Sequence, residues 1–250
     1  MLGTTSMQLS KMEKILRDDF GVKAGSKVFV TSAFGSLNAN FSPEQLVDLL
    51  MRIVTQDGLI LMPFYPPGSS SEWADSNSVF DMQKTKSSVG IVSDIFSHKE
   101  GVIKSFHPTK AVVGWGKYAA EILANHEIAQ TPFSIDSPYG KFLMLEDSVS
   151  IGLGTCKFPM GHSIEDIVSG MLIHYRKEKS RLLVRNGENI MVVDTFIHDE
   201  NRNQIPPSDY IKKCDALVKI KVGSGCCFAI SNAAALQFYK EQYSTNPSIW

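Results

Sequence analysis

Apolar residues recur at intervals of three and four along several stretches of the chain, which is the pattern of amphipathic helices. The first stretch covers 9–20 and ends at Gly21, a residue type that commonly terminates helices. In the second, Ser42 can cap the helix, Pro43 suits its first turn and Gln45 can complete a capping box. Further helices are predicted from about 88, over 118–123, from 137–138, over 163–174 and over 232–243.

Short apolar runs bounded by glycine, proline or polar residues predict strands that are covered on both faces. The clearest run covers 58–64, and with the strand predicted over 27–31 and the helix between them it forms a βαβ unit. Other strands are predicted over 111–115, 148–153, 181–184, 190–193 and 216–222. We therefore expect an α/β fold with a mixed central sheet flanked by helices, in a single domain over 1–250 whose later portion is β-rich.

The segment over 65–85 has neither pattern and is rich in proline, glycine and serine around Trp73. A loop of this length within a compact domain is usually functional or disordered. We expect it to form a lid or a pocket wall. A second polar loop, around Pro206-Pro207, is predicted between the later strands.

Composition and charge narrow the class of protein. Hydrophobic residues make up 43% of the 250 positions, enough for a substantial core, and 25 basic side chains stand against 26 acidic ones. A nearly neutral chain has no overall field to attract nucleic acid or an anionic membrane, so we expect neither as a partner. The first residues lack the features of a secretion signal and no apolar run reaches membrane-spanning length, so a cytoplasmic location is predicted.

The four cysteines are Cys156, Cys214, Cys226 and Cys227. They lack the spacing of a CxxC pair, and adjacent side chains cannot easily converge on one metal ion. We expect reduced residues that pack in the interior. Cys156 has an alternative role, because a thiol beside a histidine can act as a nucleophile and form an acyl-enzyme.

Two stretches carry candidate chemistry. His107 stands before Pro108, which favours an extended residue on a fixed loop entering the strand over 111–115. His162 and Glu165 are three residues apart, so a helix places them on one face, where they can converge on a partner such as His107. An imidazole with a carboxylate behind it suits a general base, because the carboxylate holds the useful tautomer and stabilises the imidazolium that forms.

Each of these residues also has a purely structural interpretation. His107 can be a residue at a strand entry without a chemical role. Glu165 and Asp166 lie in the first turn of the predicted helix, where carboxylates complement exposed backbone N–H groups, and Ser163 with Asp166 resembles a capping pair. The local sequence leaves both interpretations open.

Several motifs follow one another in a fixed order. They are Phe-Asp-x-x-x-Thr-x-Ser-x-x-Gly at 80–90, Ser105-Phe106-His107-Pro108-Thr109, Pro132-Phe133 with Ser137-Pro138, Gly152-Leu153-Gly154 and His162-x-x-Glu165. In this order and spacing they resemble the aminoglycoside 3-N-acetyltransferase family over most of the chain. Enzymes of that family move an acyl group from coenzyme A to an amine on a sugar.

The resemblance implies a role for each site residue, and we predict no metal ligand among these residues. His107 would be the general base, Glu165 the carboxylate that orients it, and His162 a close neighbour. Thr31, Lys86 and Pro159 depart from the family pattern, which indicates a rebuilt acceptor side. The implied donor, acyl-CoA, would meet backbone N–H groups and hydroxyls of Ser32, Ala33, Phe34, Gly35, Ser36, Leu37, Thr85, Ser87 and Ser88.

The acceptor stays open between two classes. We favour a nucleotide-linked amino sugar of surface polysaccharide synthesis, because the chain is nearly neutral and has basic clusters suited to a diphosphate. An aminoglycoside antibiotic is the alternative. The clusters comprise Arg176, Lys177, Lys179, Arg181 and Arg185, then Lys212, Lys213, Lys219 and Lys221.

Two further classes of function are less favoured. One is a metal-dependent hydrolase with His107, His162 and Glu165 as ligands, and the other is a protein that binds coenzyme A without turnover. The predicted partners are therefore acyl-CoA and an amino-sugar acceptor, and the chain could assemble as a homo-oligomer.

Overall fold

The computed structural model describes residues 6–76, 78–170, 175–198 and 211–246. Its first helix, α1 (Leu9–Lys14), is continued by a π-helical turn over Ile15–Asp19. The helices of the described residues are α1 (Leu9–Lys14), α2 (Pro43–Val54), α3 (Ser70–Asp75), α4 (Ile91–Ser97), α5 (Ala119–Leu123), α6 (Pro138–Leu143), α7 (Gly161–Ser169) and α8 (Asn232–Thr245). Their strands are β1 (Lys27–Ser32), β2 (Leu59–Phe64), β3 (Val79–Asp81), β4 (Ile103–Lys104), β5 (Ala111–Gly116), β6 (Ser148–Leu153), β7 (Ser180–Asn186), β8 (Asn189–Thr195), β9 (Val218–Val222) and β10 (Gly225–Ser231).

Seven strands form the central sheet, in the order β4-β5-β2-β1-β6-β10-β9. The three in the middle are parallel, with Lys27 of β1 opposite Leu59 of β2 and Ser148 of β6. On either side the sheet continues with antiparallel strands. The sheet is therefore mixed, with the predicted β1-α2-β2 unit at its centre.

Both faces of the central sheet are covered by helices. Strand β1 shows the alternation, because Val28 and Val30 join one hydrophobic cluster and Phe29 joins the other. The first cluster contains side chains of α1, α2 and α4, and the second contains side chains of α5, α6, α7 and α8. The predicted α/β fold with a mixed sheet between helices and a β-rich later portion is confirmed.

A second, three-stranded sheet has the order β3-β7-β8. Strands β7 and β8 form an antiparallel hairpin, and β3 pairs with β7 in parallel. Strand β3 and helix α3 both lie within 65–85, so the prediction of an irregular loop there is wrong for these parts. Ser69 and Glu72 cap α3 reciprocally. Strand β3 depends on pairing with the distant strand β7, which the sequence of β3 alone does not indicate.

Strand β10 was missed by the sequence analysis, although its run Cys226-Cys227-Phe228-Ala229-Ile230 is apolar and buried. The loop around Pro206-Pro207 and the predicted helix end at His174 lie outside the described residues. Within the described ranges, no helix combines the length and the apolar character needed to cross a membrane.

Two of the four cysteines are joined, which corrects the expectation that all are reduced. Cys156 and Cys226 form a disulfide with their Cα atoms 6.2 Å apart. The pairing follows from the sheet, because Cys156 lies in the loop after β6 and Cys226 lies in β10, the neighbour of β6. Cys214 and Cys227 are buried free thiols, as predicted.

Candidate active site

The carboxyl ends of the parallel strands define one edge of the central sheet, where ligands of open α/β sheets gather. Ser32 ends β1 opposite Leu153, which ends β6, and the N–H of Ala33 donates to the Leu153 carbonyl at 2.9 Å. Helix α7 follows β6 after a short loop. The predicted donor turn and the His162-x-x-Glu165 motif therefore both emerge from this edge.

The predicted donor turn is held by a close approach of backbones. After Ser32 and Ala33, Phe34–Leu37 forms a 3-10 helix in which Gly35 is exposed. A Cβ on Gly154 would lie 2.4 Å from the Ala33 carbonyl oxygen, and one on Gly225 would lie 2.4 Å from the Gly154 oxygen. Glycine is required at both positions, because a larger residue would push the turn away from the strand ends.

The second predicted donor segment uses its hydroxyls to hold its own shape. Thr85 Oγ1 accepts from the Asp81 N–H at 2.9 Å, and Ser88 Oγ donates to the Pro66 carbonyl at 2.9 Å. The N–H of Ser87 donates to Asp94 Oδ1 at 3.1 Å. These bonds fix the segment and leave less of its polar surface for a ligand than the sequence implied.

The two donor segments meet at Gly90 and Ser32. A Cβ on Gly90, whose φ is +117°, would lie 3.1 Å from the Ser32 carbonyl oxygen. Within the described part of the chain, the buried Ser32 Oγ has no hydrogen-bond partner. A buried hydroxyl of this kind is suited to meeting a ligand oxygen.

His107 is buried, with 1% of its surface exposed, in the loop between β4 and β5. Its Nδ1 accepts from the backbone N–H groups of Thr109 at 3.3 Å and Lys110 at 3.1 Å. The proton therefore lies on Nε2, which is 3.3 Å from Thr195 Oγ1. Burial, followed by the positive fields of His126 and Lys110, lowers the pKa of His107 well below its usual range.

His126 stacks on His107, with 4.5 Å between the ring centres. Its Nδ1 lies 2.9 Å from Ser105 Oγ and its Nε2 lies 3.1 Å from the Pro132 carbonyl oxygen. Because Ser105 Oγ already accepts from the Val112 N–H, it donates to Nδ1, and Nε2 carries the proton. Burial lowers the pKa of His126 to about 3.

A second histidine cluster forms around Glu165, which is 1% exposed. Its Oε2 lies 3.1 Å from Nδ1 of His162 and 3.6 Å from Nε2 of His198. The His162 side chain is 37% exposed. The rings of His162 and His198 are 4.5 Å apart, and Phe133 packs 4.9 Å from His162. This arrangement offers a partly accessible imidazole on a buried carboxylate.

Asp166 belongs to a neighbouring network with different partners. Its carboxylate accepts from Thr131 Oγ1 at 2.5 Å and from the Tyr175 hydroxyl at 2.8 Å. Burial raises the pKa of Asp166 to about 6, and these hydrogen bonds oppose the rise. Asp166 and Thr131 line a cavity of about 260 Å³ together with Gln130, Ser134, Ile135, Ile167 and Gly170.

A sequence model of the family described as aminoglycoside 3-N-acetyltransferase matches residues 29–244. The chain belongs to the aminoglycoside 3-N-acetyltransferase family. A curated relative is the SPbeta prophage-derived aminoglycoside N(3')-acetyltransferase-like protein YokD of Bacillus subtilis (strain 168). It is 24% identical over 253 positions, which cover 91% of this chain and 89% of YokD.

Solved structures share the fold of this aminoglycoside 3-N-acetyltransferase family member. The crystal structure of YokD has a TM-score of 0.76 at 21% identity, covering 98% of this chain and 96% of YokD. AAC-VIa bound to sisomicin has a TM-score of 0.77 at 20% identity, with 96% of this chain and 98% of AAC-VIa covered. The binary complex of AAC-IIIb with CoASH has a TM-score of 0.79 at 14% identity, with 96% and 97% covered.

Family membership confirms the predicted class of enzyme, an N-acyltransferase. The predicted acyl-CoA donor agrees with the family and with the CoASH-bound form of AAC-IIIb. The family alternative for the acceptor, an aminoglycoside, agrees better with these relatives than the nucleotide-linked sugar that we favoured.

The structure corrects the interpretation of α7 as a helix whose first turn is capped by Ser163, Glu165 and Asp166. The helix begins at Gly161, and within the described residues no side chain caps it. Glu165 is buried because it points to His162 and His198. His198 was missed, since a single histidine just after a predicted strand carries no local signal.

Several basic residues proposed to suit a diphosphate are engaged by carboxylates. Arg176 pairs with Asp75 at 2.8 Å, and Arg181 lies 3.7 Å from Asp194. Arg185 lies 4.0 Å from Asp81. Lys219 and Lys221 instead line a cavity of about 430 Å³ beside the disulfide. The three arginines are thus partly neutralised by partners on the surface.

Proposed function

We propose that this protein transfers an acyl group from acyl-CoA to an amine of an aminoglycoside-type amino sugar, with His162 as the general base. The observation that carries the proposal is the pair formed by His162 Nδ1 and the buried Glu165 Oε2 at 3.1 Å. The pair lies on the helix that leaves the same sheet edge as the donor turn.

The geometry of the pair supports a base at Nε2 of His162. If Nδ1 carries the proton and donates it to Glu165, the lone pair of the neutral ring lies on Nε2, on a side chain that is 37% exposed. An acceptor ammonium loses its proton to this nitrogen, and the amine then attacks the thioester carbonyl. The C–S bond breaks, and coenzyme A leaves as its thiol with the proton that the new amide nitrogen gives up. The Glu165 carboxylate stabilises the resulting imidazolium, since it lies at hydrogen-bond distance in a buried position.

His107, the base implied by the family motif, is less suited to proton transfer. Its Nδ1 lone pair already accepts two backbone N–H groups, and its Nε2–H faces Thr195. An acceptor amine would have to displace these partners and reach a ring with 1% exposure. We therefore assign His107 to holding the loop before β5, stacked on His126.

The donor turn fits a thioester carrier. Acyl-CoA supplies an activated acyl group and carries negatively charged phosphates. The exposed Gly35 permits close backbone approach, and the buried Ser32 hydroxyl, without a partner among the described residues, can bond to a donor oxygen. The contact between Gly90 and Ser32 brings the segment before α4 to the same place.

The acceptor class rests on the family and on the surroundings of α7. Among the residues that the structure describes, the cavity beside Asp166 is lined by one carboxylate, one amide and two hydroxyl side chains and by no lysine or arginine. Such a lining suits a cation with several hydroxyls better than a diphosphate. AAC-VIa, of similar fold, is bound to sisomicin in its structure.

Thiol release from acetyl-CoA tests the proposal. The acceptors are sisomicin, gentamicin and apramycin on one side and a panel of nucleotide-linked amino sugars on the other. We expect kcat/KM for at least one aminoglycoside to exceed that for every nucleotide-linked amino sugar. The mass of that aminoglycoside should increase by one acyl group. Turnover confined to the nucleotide-linked sugars would overturn the acceptor class, and no turnover with either would overturn the activity.

A further inference from the structure

Three potential metal ligands converge at the buried end of α7. One ligand atom each from His162, Glu165 and His198 lies within 4.8 Å of the other two. This trio differs from the metal set considered from the sequence, in which His107 took the place of His198. His107 is unsuited because its Nδ1 accepts two N–H groups and its Nε2 faces Thr195.

The ligand atoms of His162, Glu165 and His198 form a triangle, and two of its edges have the lengths found in a zinc site. Ligands at about 2.0–2.1 Å from a tetrahedral ion lie roughly 3.3 Å from one another. The distance from Glu165 Oε2 is 3.1 Å to His162 Nδ1 and 3.6 Å to His198 Nε2. The ligand atoms of the two histidines, which form the third edge, lie within 4.8 Å of each other.

The surroundings suit an ion with an open coordination position. The carboxylate of Glu165 is buried and contributes one negative charge toward a divalent cation. Phe133 lines one side of the two imidazoles, which limits the access of water. His162 is the most exposed of the three side chains, so a fourth ligand can enter from its side. Two histidines, one glutamate and a free position form a recognised ligand set for Zn²⁺.

We propose that His162, Glu165 and His198 bind Zn²⁺ and that the bound ion inhibits acyl transfer. The second half rests on the proposed function. Zn²⁺ takes the lone pair of His162 Nδ1, so the ring proton moves to Nε2. That nitrogen then has no lone pair to accept a proton from the acceptor amine. The same imidazole therefore serves either the metal or the reaction.

Metal binding is measured directly on protein stripped with a chelator. Isothermal titration with Zn²⁺ and visible absorption with Co²⁺ are carried out on the parent, His198→Ala and His198→Gln. The matched control is His98→Ala, an exposed histidine whose ring contacts the Asp94 carbonyl in another part of the chain. Circular dichroism establishes that each variant is folded.

We expect one Zn²⁺ per chain in the parent and in His98→Ala, with a Co²⁺ spectrum of tetrahedral type. Loss of a residue that hydrogen-bonds to a metal ligand weakens metal binding by about 10- to 100-fold, so loss of the His198 ligand itself should weaken it by at least about 100-fold. Binding that is absent in the parent, or equal in the parent and both His198 variants, would overturn the site.

Acetyl transfer measured with and without Zn²⁺ tests the inhibition. Stoichiometric Zn²⁺ should suppress turnover of the parent and of His98→Ala, and the ratio of the two rates should approach one in His198→Ala. A protein that binds Zn²⁺ at the trio but acylates no acceptor would refute the proposed function and leave the metal site standing. A protein that stays fully active with the trio occupied would refute the inhibition.

Discussion

Nδ1 of His162 lies 3.1 Å from Oε2 of Glu165, one turn apart on α7. The carboxylate is buried while the imidazole is partly exposed, so charge and access are divided between two neighbouring side chains. This division is what a general base needs, because the hidden group fixes the tautomer and the accessible group meets the substrate.

Removing the imidazole should abolish most of the activity. For His162→Ala we expect kcat to fall by about 100- to 10,000-fold, the range for loss of a positioned base. Circular dichroism should show a folded variant, and thermal unfolding should reveal some loss of stability because the buried Glu165 carboxylate loses a partner. The control is His98→Ala, and steady-state kinetics with acetyl-CoA are the measurement. Turnover within a few-fold of the parent would remove His162 from the mechanism.

Substitution of the two adjacent carboxylates of α7, Glu165 and Asp166, should affect different kinetic constants. Glu165→Gln removes the charge that stabilises the imidazolium, so we expect a large fall in kcat. Asp166→Asn leaves His162 untouched but alters bonds to Thr131 and Tyr175, so its main effects should be on KM and thermal stability. Equal, small effects of both variants on kcat would contradict a catalytic role for Glu165.

His107→Ala should act on stability first. The change leaves the Thr109 and Lys110 N–H groups and the Thr195 hydroxyl without their buried partner, at about 1–3 kcal/mol for each unsatisfied group. Chemical denaturation measures the loss in free energy of unfolding. A variant with parental stability and no transfer activity would restore His107 as the base.

Buried neutral histidines should make the fold sensitive to acid. The folded pKa of His126 is about 3, below the ordinary value of 6.5, so the unfolded chain binds more protons between these values. Stability is therefore full above about pH 6.5 and falls by about 1.4 kcal/mol per pH unit below it. His107 adds to the fall in the same direction. The free energy of unfolding, measured by chemical denaturation at several pH values, should fall less steeply with falling pH in His126→Gln than in the parent. Equal dependence on pH in the two proteins would contradict the assignment.

The disulfide should be detectable and stabilising. It joins residues 70 positions apart, and a native disulfide typically contributes about 2–4 kcal/mol to the free energy of unfolding. Peptide mass spectrometry without reductant should recover Cys156 linked to Cys226, and reduction should lower the thermal midpoint. The matched control is Cys214→Ser, a free buried cysteine. Two free thiols at Cys156 and Cys226 in the unreduced protein would refute the bond.

Local patterns predicted the elements whose signals are local. The capping box of Ser42 and Gln45 forms as expected, and the helix predicted from 137–138 begins at Pro138 with Ser137 as its cap. Each of these signals depends on four consecutive residues. The apolar run of β2 is buried throughout, which matches its position inside the sheet. Periodicity and caps therefore sufficed for the central β1-α2-β2 unit.

The features that were missed depend on distant partners. Strand β3 exists because 183–185 lie beside it, and Cys226 meets Cys156 because β10 returns antiparallel to β6. The site follows the same rule. The motif located His162 and Glu165, but the burial of His107 and the approach of His198 come from the packing of later segments, which no local pattern encodes.

The close approach of Gly154 to the donor turn, and of Gly225 to Gly154, has a consequence for synthesis on the ribosome. The turn at 32–37 is made early, yet the strand that supports Gly154 through Gly225 is made after residue 224. A nascent chain should therefore carry an unsupported donor turn until nearly all of the sheet has emerged. We therefore expect the proposed binding of the thioester to require that β10 has first inserted beside β6.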